Sequence, residues 1–98
     1  MTSQDCIGIA VVGLGVGKQH VQAVLGRSDC SLRAVYDYDS KLAEDVVGSI
    51  SSARVANGVQ DILDDPEIQA VVVASYDDDH FSQVVSALRA GKHVFVEK

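Results

Sequence analysis

The segment IGIAVVGLGVGKQH, residues 7–20, decides the fold of this 98-residue chain. Its first half, residues 7–13, is apolar throughout instead of alternating, which is typical of a strand in the middle of a parallel sheet that helices cover on both faces. Its second half, residues 13–20, carries glycines at positions 13, 15 and 17. We therefore predict a buried strand that leads through a glycine-rich loop into a helix, as a dinucleotide site requires.

Short apolar segments alternate with segments of helical spacing along the rest of the chain. Further strands are predicted at residues 32–36, 54–56, 70–74 and 93–96, and a short helix at residues 59–63. Three longer helices are indicated by the apolar sets Val21, Val24 and Leu25; Ala43, Val46 and Val47; and Phe81, Val84, Val85 and Leu88. Strands separated by helices imply a parallel sheet with right-handed crossovers. We predict an α/β, doubly wound Rossmann fold with strand order 3-2-1-4-5 and helices on both faces.

Composition excludes several classes of function. A formal charge of −6 and the small number of aromatic residues, three Tyr and two Phe, argue against a nucleic-acid partner. No apolar segment approaches the ~20 residues needed to span a bilayer, and no signal peptide is recognisable, so we expect a cytoplasmic protein without a membrane partner. Cys6 and Cys30 lack C-x-x-C or metal-type spacing and are expected to be reduced. A chain of this length holds one domain.

The glycine segment and the second strand together indicate NAD. Gly13 permits a tight turn, Gly15 lets the backbone approach a pyrophosphate, and the helix start offers free N–H groups. The third glycine comes one residue earlier than in G-x-G-x-x-G, at Gly17, which predicts a tighter loop. Asp37 follows the second strand near the ~20-residue interval at which an acid binds the adenosine ribose, and its charge favours NAD over NADP. Asp39, nearer the next helix, is predicted to cap it.

Two more segments stand at the carboxyl ends of predicted strands. The acidic residues of ASYDDDH, residues 74–80, are adjacent and point in different directions, so we interpret them as helix capping and predict no metal site. His80 either faces the cofactor crevice or is an ordinary first-turn histidine. Glu97 and Lys98 either face the nicotinamide or form an exposed charged pair. An amine at Lys98 could hydrogen-bond a substrate hydroxyl and stabilise charge as hydride leaves.

The segments VGLGVGKQH, AVYDYD, DDPEIQAVVVAS, the following His80 and AGKHVFVEK resemble, in this order, the N-terminal domain of the glucose-fructose oxidoreductase/inositol dehydrogenase family. The resemblance implies a Rossmann domain over residues 1–98, followed by a larger α+β substrate domain that this sequence lacks. It also implies NAD-dependent oxidation of a secondary alcohol on a sugar, cyclitol or similar polyol. The general base and the interface of a homo-oligomeric parent would belong to the second domain, so we expect these 98 residues to be inactive alone.

The resemblance also assigns residues by position. It assigns the pyrophosphate to Gly13, Leu14, Gly15, Val16 and Gly17; the adenosine ribose to Asp37 and Tyr38; the nicotinamide side to Ser75 and Tyr76, where the family usually has Thr-Pro; and further cofactor contacts to His80, Glu97 and Lys98. Glu97 and Lys98 match the start of the family's Glu-Lys-Pro motif, whose Lys contacts the reacting hydroxyl. Lys98 is therefore the expected catalytic residue.

Two other functions compete with this interpretation. The spacing of Gly13, Gly15 and Gly17 also fits the glycine loop of S-adenosylmethionine-dependent methyltransferases. Those enzymes usually have an acidic residue two positions before the first glycine, where this chain has Val11, and their chemistry gives the Glu-Lys ending no role. The second alternative is a module that binds a nucleotide and catalyses nothing, because a fold does not determine a function.

Overall fold

The computed structural model describes residues 6–48, 50, 52–75 and 77–97. Within them, strands and helices alternate as β1 Ile7–Val12, α1 Leu14–Leu25, β2 Cys30–Tyr36, α2 Ser40–Val47, β3 Arg54–Val55, α3 Val59–Leu63, β4 Ala70–Val73, α4 Asp77–Arg89 and β5 His93–Val96. All strand pairs are parallel, and the sheet order is β3-β2-β1-β4-β5. The predicted doubly wound α/β fold with strand order 3-2-1-4-5 is confirmed.

The sheet is covered on both faces, and β1 shows this most directly. Ala10 and Val12 join the hydrophobic cluster that includes residues of α3 and α4, whereas Val11 joins the cluster that includes residues of α1 and α2. All three side chains are almost fully buried. This two-sided burial explains why residues 10–12 are all apolar, because at this end of the central strand neither face meets water.

Helix α4 buries only part of the face that the apolar spacing indicated, since Val84 packs against the core but Phe81 and Leu88 do not. Phe81 and Leu88 are 78% and 57% exposed, while Gln83 and Ala87 are buried. The helix packs against β4 and the edge strand β5. Because no strand of the described residues lies beyond β5, the outer side of α4 has no sheet beneath it, and its apolar residues there stay exposed.

Two helix ends show well-defined capping, and the cap predicted for α2 is confirmed, whereas the side chains of residues 77–79, predicted to cap α4, lie outside the described ones. Asp39 caps α2 by accepting hydrogen bonds from the N–H groups of Lys41 and Leu42 at 3.1 and 3.2 Å. Arg89 stands in the last turn of α4, and Gly91 adopts the left-handed conformation, with φ 80°, just beyond it. In the described part of the chain, no helix combines the length and the apolar character needed to cross a membrane.

Candidate functional site

The chain reverses direction across the sheet between β1 and β4, and a cavity opens at that point. Its volume is about 200 Å³. The lining residues come from the carboxyl ends of β1, β2 and β4 and from α1 and α4: Val12, Gly13, Gly15, Val16, Tyr36, Asp37, Tyr38, Asp39, Ala74, Ser75 and Gln83. Doubly wound folds bind their ligands at such a switch point.

The glycine loop is shorter than the sequence indicated. Helix α1 begins at Leu14, so the turn is Gly13 alone and residues 14–20 are helical. Gly13 has φ 89°, and a Cβ atom there would lie 2.6 Å from the backbone N and Cα of Ser75. A Cβ on Gly17 would lie 2.9 Å from Cγ1 of Val11. The early third glycine thus lets the first turn of α1 lie directly against β1.

The start of α1 fits a phosphate. Its N-cap, Gly13, provides no side-chain hydrogen bond, and no acidic residue occupies the first turn. The backbone N–H groups of a first turn otherwise lack partners and attract anions. Gly15 lines the cavity, and no atom lies within 4 Å of the place where its Cβ would stand. A ligand can therefore reach the backbone of this turn without meeting a side chain at that position.

The carboxylate of Asp37 is fixed at the wall of this cavity. Its Oδ2 accepts from the N–H of Leu14 at 2.7 Å, and its Oδ1 accepts from the N–H of Asp39 at 2.8 Å. The N–H of Gly13 donates to the carbonyl of Tyr36 at 2.8 Å, which ties the glycine turn to the end of β2. Each carboxylate oxygen has further acceptor capacity, as the two vicinal hydroxyls of a ribose require.

Ser75 and Gln83 form another part of the wall. The hydroxyl of Ser75 donates a hydrogen bond to Oε1 of Gln83. Gln83 is only 8% exposed although it is polar. Gln83 was not predicted as a site residue, because the apolar spacing of Phe81, Val84, Val85 and Leu88 placed the buried face of α4 elsewhere. Residues four positions apart lie on the same face of a helix, so the small apolar residue Ala87 was the signal in the sequence that could have placed Gln83 on the buried face.

Among the predicted site residues that the structure describes, Glu97 and His80 do not line the cavity. Glu97, just after β5, accepts at Oε1 a hydrogen bond of 2.7 Å from Nε2 of His20, a residue of α1 to which the sequence analysis gave no role. The ring of Phe95 meets that imidazole edge to face, with centroids 5.3 Å apart. His80 has a buried Nε2 atom without a hydrogen-bond partner among the described residues. Tyr76 and Lys98 lie outside the described residues.

The fold and the cavity define a class, the dinucleotide-binding α/β domains. Residues 7–98 match the family model GFO_IDH_MocA, described as "Oxidoreductase family, NAD-binding Rossmann fold". The chain belongs to this family. The resemblance that the sequence motifs indicated is confirmed, NAD is the cofactor of the family's Rossmann domain, and membership disfavours the methyltransferase alternative.

Named relatives include several inositol dehydrogenases. The inositol 2-dehydrogenase of Rhodococcus jostii is 33% identical over 100 residues, which cover 100% of this chain and 27% of that protein. The myo-inositol dehydrogenase of Lactobacillus casei, solved with NAD(H) and myo-inositol, superimposes with a TM-score of 0.88 at 31% identity over 95% of this chain and 28% of that one. GenD2 of gentamicin A biosynthesis, solved with NAD, superimposes with a TM-score of 0.90 at 30% identity. The match covers 100% of this chain and 28% of GenD2. The chain spans little more than a quarter of these relatives.

Proposed function

We propose that this chain is the cofactor-binding part of an NAD-dependent dehydrogenase that oxidises a secondary alcohol of a sugar, cyclitol or similar polyol. The observation that carries the proposal is the convergence, on one cavity, of a helix start whose N-cap residue is a glycine and of the carboxylate of Asp37, which accepts from the first N–H group of that helix. The names of the inositol dehydrogenase relatives support the choice of a polyol as substrate.

Different residues of the cavity would bind different parts of the cofactor. The first turn of α1, including Gly15 and Val16, would bind the pyrophosphate through backbone N–H groups. Asp37 would accept hydrogen bonds from the adenosine ribose hydroxyls, with Tyr38 beside it. When bound, NAD supplies the hydride acceptor at nicotinamide C4. The charge of Asp37 would repel a 2′-phosphate, which gives the preference for NAD.

The substrate end of the site is proposed for the carboxyl end of β5. The ammonium of Lys98 would donate a hydrogen bond to the reacting hydroxyl and stabilise charge as hydride leaves. The hydrogen bond from His20 to Glu97 supports this proposal, because it ties the backbone just before Lys98 to the helix that would hold the pyrophosphate. A second domain would supply the general base and the oligomer interface, so residues 1–98 would bind NAD without turning over a polyol.

The first test is a comparison of ligands and of two Asp variants. We would measure dissociation constants of the 98-residue chain for NAD, NADP and S-adenosylmethionine by calorimetry, and map the contacts by backbone amide shifts. We expect saturable NAD binding with shifts at Gly15, Asp37 and Ser75. Asp37→Asn should weaken NAD binding by about tenfold or more, because it loses charge-assisted hydrogen bonds. The same variant should reduce the difference between the dissociation constants for NAD and NADP.

Asp45→Asn is the matched control, because Asp45 is exposed on α2 and does not line the cavity. It should bind all three ligands as the unmodified chain does. A response to S-adenosylmethionine alone would refute the dehydrogenase proposal. Equal loss of NAD and NADP affinity in Asp37→Asn would remove Asp37 as the source of cofactor preference.

A further inference from the structure

We infer that Gln83, oriented by the hydroxyl of Ser75, reads the edge of the adenine base and is the residue of this chain that determines base specificity. The inference rests on the proposed function, since it assigns one group of the cofactor to one wall of the cavity. Its starting point is the buried side-chain amide of Gln83 at the wall of the cavity.

Burying an amide on the inner face of α4 is costly. Transfer of such a group from water is unfavourable unless hydrogen bonds replace those it loses. The inner side of α4 is otherwise suited to apolar packing, as Ala87 shows one turn further along the helix. The hydrogen bond from Ser75 occupies one acceptor position of Gln83, whereas a side-chain amide offers two acceptor positions and two donor hydrogens. The amide thus has capacity for a ligand, and it lines the cavity.

The volume of the cavity and the positions of its lining residues indicate which group of the cofactor would contact this amide. About 200 Å³ is less than the roughly 300–1,000 Å³ of pockets that enclose a whole small ligand, so it suits only part of a dinucleotide. With phosphates at Gly15 and the adenosine ribose on Asp37, the adenine attached to that ribose would take a neighbouring part of the lining. Besides Val16, Tyr36, Tyr38 and Asp39, the lining offers the apolar surface of Val12 and Ala74 and the polar pair of Ser75 and Gln83. We assign the adenine to this second group, so Ser75 would meet the adenine and not the nicotinamide side that the resemblance implied.

Adenine matches this arrangement chemically. A flat base needs an apolar surface for its ring and polar groups at its edge. Its amino group donates and the adjacent ring nitrogen accepts, and a Gln amide complements both at once, as in the bidentate pairing of Gln with adenine in DNA. The Ser75 hydroxyl donates to Oε1, which keeps the amide oxygen and the amide nitrogen of Gln83 in defined positions.

The test pairs a ligand change with a residue change. Nicotinamide hypoxanthine dinucleotide differs from NAD in carrying a carbonyl oxygen where adenine has its amino group and a hydrogen on the neighbouring ring nitrogen N1, so that it accepts where adenine donates and donates where adenine accepts. We expect the unmodified chain to bind NAD about tenfold more tightly than this analogue, since a site that hydrogen-bonds a group rejects the analogue that lacks it. In Gln83→Leu, NAD binding should weaken by about tenfold, and the two dinucleotides should bind equally well.

Three controls separate the possible failures. Gln22→Leu changes an exposed Gln of α1 that does not line the cavity, and it should keep the preference for NAD. Gln83→Met retains the length of the side chain without its amide, so it should also bind the two dinucleotides equally well. This variant provides the test if Gln83→Leu folds poorly. The side-chain amide resonance of Gln83 should shift with NAD and AMP but not with nicotinamide mononucleotide.

The outcomes distinguish this inference from the function on which it rests. If NAD binds and both Gln83 variants keep the unmodified preference over the hypoxanthine analogue, Gln83 does not read the base and the inference is wrong, while the proposed function stands. If the unmodified chain binds NAD and its analogue equally, the inference is also wrong. If NAD does not bind at all, the proposed function fails first.

Discussion

Gly13 and Gly15 are two residues apart at the start of α1, but only Gly13 is required by the fold. Gly13 has a left-handed φ of 89°, and a Cβ there would collide with the backbone of Ser75. Gly13→Ala should therefore destabilise the fold by about 2 kcal/mol or more. Gly15 is helical and has open space around it, so Gly15→Ala should leave stability unchanged or raise it by up to about 1 kcal/mol.

The two variants should separate stability from binding. The methyl group of Gly15→Ala would enter the cavity, and NAD affinity should fall by about tenfold or more, a loss of about 1.4 kcal/mol. Urea unfolding and NAD titration of both variants would measure this. NAD binding of Gly15→Ala at the unmodified affinity would mean that the pyrophosphate does not approach this turn.

At the scale of single residues, the sequence predicted what depends on local chemistry. The spacing of Asp37 from the glycines predicted a carboxylate at the site, and Asp37 lines the cavity, while its binding of a ribose stays a prediction. The position of Asp39 before α2 predicted a helix cap, and Asp39 does cap that helix. The partners of Gln83 and His20 were not predictable in this way. The bond between His20 and Glu97 joins residues 77 positions apart, and it exists because the sheet order puts the end of β5 within reach of α1.

Among the connections between elements, Lys92 contributes stability. Its Nζ donates to the carbonyl oxygens of Asp65 and Ile68 at 2.8 and 2.6 Å, so it ties the start of β5 to the loop between α3 and β4. Lys92→Met keeps most of the apolar stem but leaves both carbonyls without this partner. We expect a loss of about 1 kcal/mol in the free energy of unfolding, since the site is partly exposed.

Lys41→Met, at an exposed position of α2, is the control for Lys92 and should change stability by less than about 0.5 kcal/mol. Chemical denaturation measures both variants. Equal stability of the Lys92 variant and the unmodified chain would show that water replaces the ammonium at no cost. NAD affinity should be unchanged in Lys92→Met, because Lys92 does not line the cavity.

Strand β3 is only two residues long, and an ion pair links it to α3. Arg54 donates to Oδ2 of Asp61 at 2.8 Å and to Asp65 at 3.2 Å. The hydrogen bond from Arg54, followed by that from the backbone N–H of Asn57, lowers the pKa of Asp61. A carboxyl whose pKa is lower in the folded state stabilises the fold above its unfolded pKa of about 4 and loses this contribution as the pH falls through the folded value.

Asp61→Asn should therefore be less stable than the unmodified chain at pH 7, by about 0.5 kcal/mol, because the ion pair is largely solvated. The difference should persist down to about pH 5 and shrink as the pH falls below about 4. Urea unfolding between pH 7 and pH 3 would follow it. A difference that stays constant to pH 3 would mean that the charge of Asp61 contributes nothing.

At the scale of elements, the periods of the sequence predicted the strands and helices but not every buried face. Residues 7–13 were apolar throughout because β1 is central in the sheet. The spacing of Phe81, Val84, Val85 and Leu88 identified a helix correctly, yet Phe81 and Leu88 are exposed. Periodicity gives the apolar stripe of a helix, whereas the burial of that stripe depends on where the helix lies on the sheet, which no local pattern contains.

At the scale of the whole molecule, the cavity exists only when the sheet is complete. Its walls come from residue 12 to residue 83, and the glycine turn, the end of β2 and the end of β4 are adjacent only in the order β3-β2-β1-β4-β5. The unfolded chain has no such site. A ligand that binds there must therefore stabilise the fold by mass action.

This linkage predicts the size of the effect as well as its sign. At NAD concentrations 100 times the dissociation constant, the free energy of unfolding should rise by about 2.7 kcal/mol. For a domain of this length, that corresponds to an increase of roughly 10–20 °C in the melting temperature. Asp37→Asn should need correspondingly more NAD for the same shift, whereas Asp45→Asn should follow the unmodified chain. A melting temperature that does not respond to NAD, in a chain that calorimetry shows to bind it, would mean that the unfolded chain binds NAD equally well, and the cavity would then not be the binding site.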